Sequence, residues 1–136
     1  MRLFFPTCAL LTLCFAVPAR ADAPDAIGAR LYPPELIMGH QKEIGLDDKQ
    51  RQAIVTEVQK LQAQVVELQW KMQAAAEELV KLLDETRVDE AKAIAQADQV
   101  MNLERDIKRA HLGMLIRIRN VLTADQRAKL AALRGK

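Results

Sequence analysis

The sequence predicts an all-α protein: a hairpin of two long antiparallel helices with two short helices beside it, four helices in all. Three observations predict this. Ile54, Val58, Leu61, Val65, Leu68, Met72, Ala75, Leu79 and Leu82 follow one another in unbroken steps of four and three, a heptad seam of roughly four heptads. A second apolar series at the same spacing comprises Ile94, Ala97, Val100 or Met101, Leu103, Ile107, Ala110, Met114, Ile118 and Val121. Only a short turn, Thr86-Arg87-Val88, lies between them, and so short a connection makes the two helices antiparallel neighbours. No strand alternation, Gly-rich phosphate loop or nucleophile elbow interrupts the pattern.

The chain opens with Met1 and Arg2, an apolar run from Leu3 to Val17, and Ala19-Arg20-Ala21. This is the layout of a secretory signal peptide, with cleavage expected after Ala21. The alternative is a retained anchor, but the run is shorter than the roughly 20 residues a spanning helix needs. Cys14 follows Leu13 where a lipoprotein signal calls for a small residue. Export removes Cys8 and Cys14, so the processed protein, expected in the periplasm, has neither a disulfide nor a thiolate metal site.

Residues 22–32, Ala-rich with Pro24 and Gly28, are expected to form a flexible lead-in to a helical domain over 33–136. Pro34 suits the first turn of a helix, where its missing donor costs nothing. Glu35–Ile44 is then a short helix, weakened by Gly39 and stopped by Gly45 in a left-handed conformation. In Leu46-Asp47-Asp48-Lys49-Gln50, Asp47 is the N-cap and Gln50 stands at the third helical position, where it reaches back in a capping box. The helix is expected to extend to about Asp84. Asp89 caps the next helix, to about Asn120. Leu122-Thr123-Ala124-Asp125-Gln126 repeats the opening pattern, with Thr123 capping a last helix that ends near Gly135 and places Leu130 and Leu133 on one face.

The 136-residue chain has a formal net charge of +2, but its charges are unevenly distributed. From Arg105 onward there are nine Lys and Arg, opposed only by Asp106 and Asp125, while the preceding part of the processed chain is acidic. Such a split suits an acidic partner, self-association, or neutralisation across one hairpin.

Leu122-Thr123-x-x-Gln126 and its variant Leu46-Asp47-x-x-Gln50 resemble the paired LTxxQ signatures of the Spy/CpxP periplasmic proteins. Pro33 to Gln41 resembles the opening of the heavy-metal sensors of that superfamily. The variant Asp47 keeps the capping chemistry of the Thr it replaces. The resemblance implies hook-shaped hairpins paired in a dimeric cradle. It implies a chaperone or envelope-stress adaptor that works without ATP and binds unfolded clients. The alternative it implies is a sensor or resistance protein for nickel, cobalt, copper or zinc that signals to a membrane-bound partner.

For clients, the candidates are Met101, Arg105, Lys108, Arg109, Met114, Arg117 and Ile118, with Arg119 beside them. Adaptable Met and long cationic side chains suit a surface that holds varied chains weakly; the same residues also fit a solvated helix face. For a metal, His40 and His111 are the only imidazoles, on the two elements where the resemblance puts ligands, with Met38, Glu43 and Met114 nearby in sequence. The sensor pattern carries several His on its first helix and this chain one, and both His also fit as packing residues. No cofactor is required. Nucleic acid is excluded by export. The chain has no Ser, and no Cys after processing, so the Ser and Cys nucleophile chemistries are missing and a non-enzyme is expected.

Overall fold

The computed structural model describes residues 26–134. The expected signal peptide, its two cysteines, residues 22–25 and Gly135 lie outside the described residues. The described chain is helical, with a short 3-10 turn at Gly28–Arg30 followed by α1 (Pro34–Gly39), α2 (Asp48–Leu83), α3 (Glu90–Val121) and α4 (Ala124–Leu133). At about 1.5 Å per residue, the 36 residues of α2 span roughly 54 Å.

The seam anticipated on α2 is the side it turns to its neighbour: Ile54 is buried, and Val58, Leu61, Val65, Leu68, Met72, Ala75, Leu79 and Leu82 are half-buried. The helices are antiparallel. Gln96 Nε2 donates to Ala75 O (2.8 Å) near the turn, and Arg117 Nε reaches Glu57 Oε2 (2.5 Å) near the open end. On α3 one inward residue differs from expectation. Ala93 is buried and Ile94 is 57% exposed. One position of difference is about 100° around the helix, enough to turn Ala93 inward and Ile94 outward.

The core is gathered at the open end of the hairpin. Tyr32, Ile37, Ile44, Ile54, Met114, Ile118, Leu122 and Leu130 form one buried cluster, drawn from the lead-in and all four helices. Beyond Val65, among the described residues, the hairpin has only two layers, and its seam stays half-buried.

Two local expectations change. The first helix stops at Gly39 instead of reaching Ile44. His40–Gly45 is a turn in which Leu46 N donates to Gln41 O (2.9 Å) and Gly45 N to Lys42 O (3.2 Å), with Gly45 at φ 66°. That is a Schellman closure, and the positive φ needs glycine. The lead-in is pinned where a loose segment was expected. Arg134 Nη1 donates to Gly28 O (2.9 Å), its other nitrogen Nη2 donates to Leu31 O, and its guanidinium lies 5.2 Å from the Tyr32 ring centroid. Arg119 Nε adds a bond to Arg30 O (3.2 Å).

Both capping boxes form. Gln50 N donates to Asp47 Oδ1 (2.7 Å) and Asp47 N to Gln50 Oε1 (3.2 Å); Gln126 N donates to Thr123 Oγ1 (3.2 Å) and Thr123 N to Gln126 Oε1 (2.9 Å). The two boxes are also joined. Gln50 Nε2 donates to Gln126 Oε1 (2.8 Å) and Gln126 Nε2 to Gln50 Oε1 (2.9 Å). The second amide hydrogens go to Val121 O (2.9 Å) and Gly45 O (3.2 Å), each two residues before the other box's capping residue. Every donor and acceptor of the paired amides is used, and Gln126 is only 6% exposed.

Replacing Gln126 with Leu strands the Gln50 amide and the Gly45 carbonyl, at about 1–3 kcal/mol for each buried group left unpaired. The expected outcome in urea unfolding is a marked loss for Gln126→Leu, and a Gln50→Leu/Gln126→Leu double variant that loses at least 1 kcal/mol less than the two singles combined, on the order expected for coupled neighbours.

Candidate functional site

The outer face of α3 gathers most of the candidate client residues. Met101, Arg105, Lys108 and Arg109 are exposed, and the same face carries Leu112 and Ile116, also exposed. Steps of three, four and seven put Ile94, Met101, Arg105, Lys108, Leu112 and Ile116 on one line along the helix. Two apolar pairs, Ile94 with Met101 and Leu112 with Ile116, therefore flank two cations on an exposed face of α3. Met101 is 54% exposed. On α2, Val66 and Trp70 are likewise turned outward, Trp70 at 68%.

Three candidates leave this surface. Met114 and Ile118 lie in the core cluster, because they share the inward stripe of α3 with Ile107 and Ala110, so neither can present itself to a client. Arg117 stays at the surface but is engaged: its Nε–Glu57 Oε2 contact of 2.5 Å braces α2 against α3. Leu112 and Ile116, which composition alone did not single out, take the places of Met114 and Ile118. Counting seven back from Lys108 to Met101 and Ile94, and four forward to Leu112 and Ile116, would have found them.

The Glu57–Arg117 pair has an electrostatic signature. The Arg117 hydrogen bond holds the Glu57 carboxyl below the usual carboxylate range; partial burial opposes this and Lys60 adds to it. Glu67 is lowered in the same direction by Lys71, but that pair lies exposed along one helix and contributes little to stability.

The two histidines stand apart in character. His40 is the C-cap of α1, and its Nδ1 lies 3.2 Å from Glu43 Oε1. That distance allows an ion pair, but Nδ1 is buried without a hydrogen bond of acceptable geometry. His111 is exposed on α3 and lines a groove with Leu31, Leu61 and Val65, to which His40 does not contribute. Among the described residues no group of three or more His, Cys, Asp or Glu forms a nest for a metal ion. His40 and Glu43 supply two donors, short of the four a tetrahedral site needs. The donors of the described residues therefore do not fit a transition-metal ion by themselves.

Among the described residues, no helix is long and apolar enough to cross a membrane. A family model described as heavy-metal resistance matches residues 7–129. Comparisons with curated proteins and with solved structures returned no match.

Because the folded-state pKa of Glu57 is depressed, its contribution to stability is complete above the ordinary carboxylate range and is lost as pH falls through the lowered value. Urea midpoints measured across the acid limb should fall in the wild type and fall less steeply in Glu57→Gln, which is also less stable at neutral pH. Equal acid slopes for both proteins would show that the brace carries no linkage.

Proposed function

The chain belongs to the heavy-metal resistance family, within the Spy/CpxP-like helical superfamily, and from that premise we propose that it is an exported, periplasmic holdase or stress adaptor. It binds unfolded or partly folded proteins without nucleotide and without catalysis. The observation that carries this reading is the exposed line along α3, where Arg105 and Lys108 stand between two apolar pairs, Ile94 with Met101 and Leu112 with Ile116.

The physical logic is one of weak, adaptable contact. Apolar side chains spaced by cations capture exposed apolar segments of a client without offering one continuous sticky surface. The cations speed encounter with acidic chains. Long Arg and Lys stems add apolar contact while their heads stay in water. The two-layered outer half of the hairpin supplies the length, and a second copy of the chain would complete a homodimeric cradle around it.

A metal-responsive role, with nickel, cobalt, copper or zinc and a membrane-bound signalling partner, is the second reading. The unbonded Nδ1 of His40 beside Glu43 favours it, as the start of a site that takes its further donors from outside the described chain.

Aggregation of a chemically denatured client, followed by light scattering without nucleotide, tests the first reading. Suppression at micromolar protein is expected, and a Met101→Glu/Leu112→Glu variant should lose most of it while keeping its helical circular dichroism. No suppression, with or without added metal, refutes the holdase. Calorimetric titration with the four metals tests the second. Binding lost in His40→Ala/His111→Ala supports it; equal binding by both proteins, or by neither, removes it.

A further inference from the structure

The lead-in does more than precede the helices. Pinned by Arg134 and Arg119, it forms the third wall of a groove whose other walls are α2 and α3. The groove measures about 620 Å³. That lies within the roughly 300–1,000 Å³ typical of small-molecule sites. Leu31, Leu61, Val65, Ile107, Leu112 and Leu115 line it. From Ile107 to Leu115 it extends about 12 Å along α3, at about 1.5 Å per residue.

The polar atoms of this groove are few and of one character. Gln62, Lys108 and His111 supply them; no carboxylate is among the lining residues, and Lys108 makes no ion pair with any described residue. A long apolar floor with an ammonium, an imidazole and an amide at its rim complements a ligand with an extended hydrocarbon body and a single anionic head. A neutral hydrocarbon would leave the Lys108 charge unused, and a cationic amphiphile would oppose it.

We propose that this groove binds a free fatty acid of medium chain length, its carboxylate held by Lys108 and His111 and its chain lying along Leu61, Val65 and Ile107. The site is distinct from the holdase surface in chemistry, although Lys108 and Leu112 stand where the two meet. The lead-in keeps the third wall in place, which gives Arg134 a positioning role: its guanidinium holds the backbone of Gly28 and Leu31 without touching the ligand.

Calorimetry with decanoate, below the concentration at which it forms micelles, tests this on the full processed protein. One decanoate per chain is expected, with 1-decanol and decyltrimethylammonium bound at least about tenfold more weakly, a difference of about 1.4 kcal/mol. Lys108→Glu should weaken decanoate by tenfold or more. Arg134→Ala should weaken decanoate and decanol alike, because it loosens a wall and leaves the head contacts intact. Helical circular dichroism should be unchanged in both variants. Three results would each overturn the proposal: no decanoate binding, decanol bound as tightly as decanoate, or decanoate affinity unchanged in Lys108→Glu. A sedimentation profile in which the groove face is closed by a second copy, with Leu112→Glu releasing single chains and decanoate never binding, would overturn it too. Loss of client suppression with decanoate binding intact would strike the holdase and leave this site standing.

Discussion

The structure depends on two glutamine amides facing one another. Gln50 and Gln126 each hold the start of their own helix and each other, and each reaches the backbone just upstream of the other's cap. The arrangement has an internal two-fold logic. Leu46 and Leu122 precede the caps, and Ile54 and Leu130, each four residues after its Gln, are fully buried. The start of α2 is thereby tied to the start of α4 across the end of α3. Eight hydrogen bonds converge in a half-buried site, where an amide left unpaired would cost more than it would in water. Once that junction closes, the apolar residues of α1 and the lead-in have a floor to pack on.

The junction also explains why the molecule divides into a packed head and a bare stalk. Among the described residues the fully buried large side chains, Ile37, Ile54, Ile118 and Leu130, lie at the joined end. Farther out, two helices meet along a seam of Val, Leu, Met and Ala with no third layer among the described residues. A two-helix layer buries one stripe per helix and leaves the rest to water, which is why Trp70, Ile94 and Met101 stand exposed without any local defect in the fold.

Much of this was legible in the residues. The α2 seam could be counted without ambiguity because no Gly or Pro breaks it and its steps never vary. The capping positions could be placed because Asp47 and Thr123 each precede a Gln by three residues. What lay beyond reach were contacts between distant segments. Gln50 and Gln126 are 76 residues apart, and the repeated pattern records each box without revealing that they meet. The pinning of the lead-in hangs on Arg134, about a hundred residues away from the carbonyls it holds. The early end of α1 turns on whether Gly45 closes a Schellman loop or merely follows a helix, and both fit the same residues. Met114 and Ile118 were misassigned to the client surface because apolar stripe and basic run overlap on α3. Only the angle around the helix separates inward Met114 from outward Leu112.

The distribution of charge bears on what the stalk is for. The sequence left open whether its acidic and basic parts neutralise each other across the hairpin. Among the described residues, Glu57–Arg117 is the ion pair that crosses from one helix to another; the rest join neighbours along a single helix or turn. Pairs of that local kind are worth a few tenths of a kcal/mol and are screened by salt. Neutralisation across the hairpin is therefore confined to its braced end. Lys108 and Arg109 form no ion pair with another helix, and Arg105 lies 3.8 Å from its own neighbour Asp106. A basic face that the described residues do not neutralise, laid beside apolar side chains that they leave exposed, suits a partner, and the positive charge favours acidic chains and anionic heads over cationic ones.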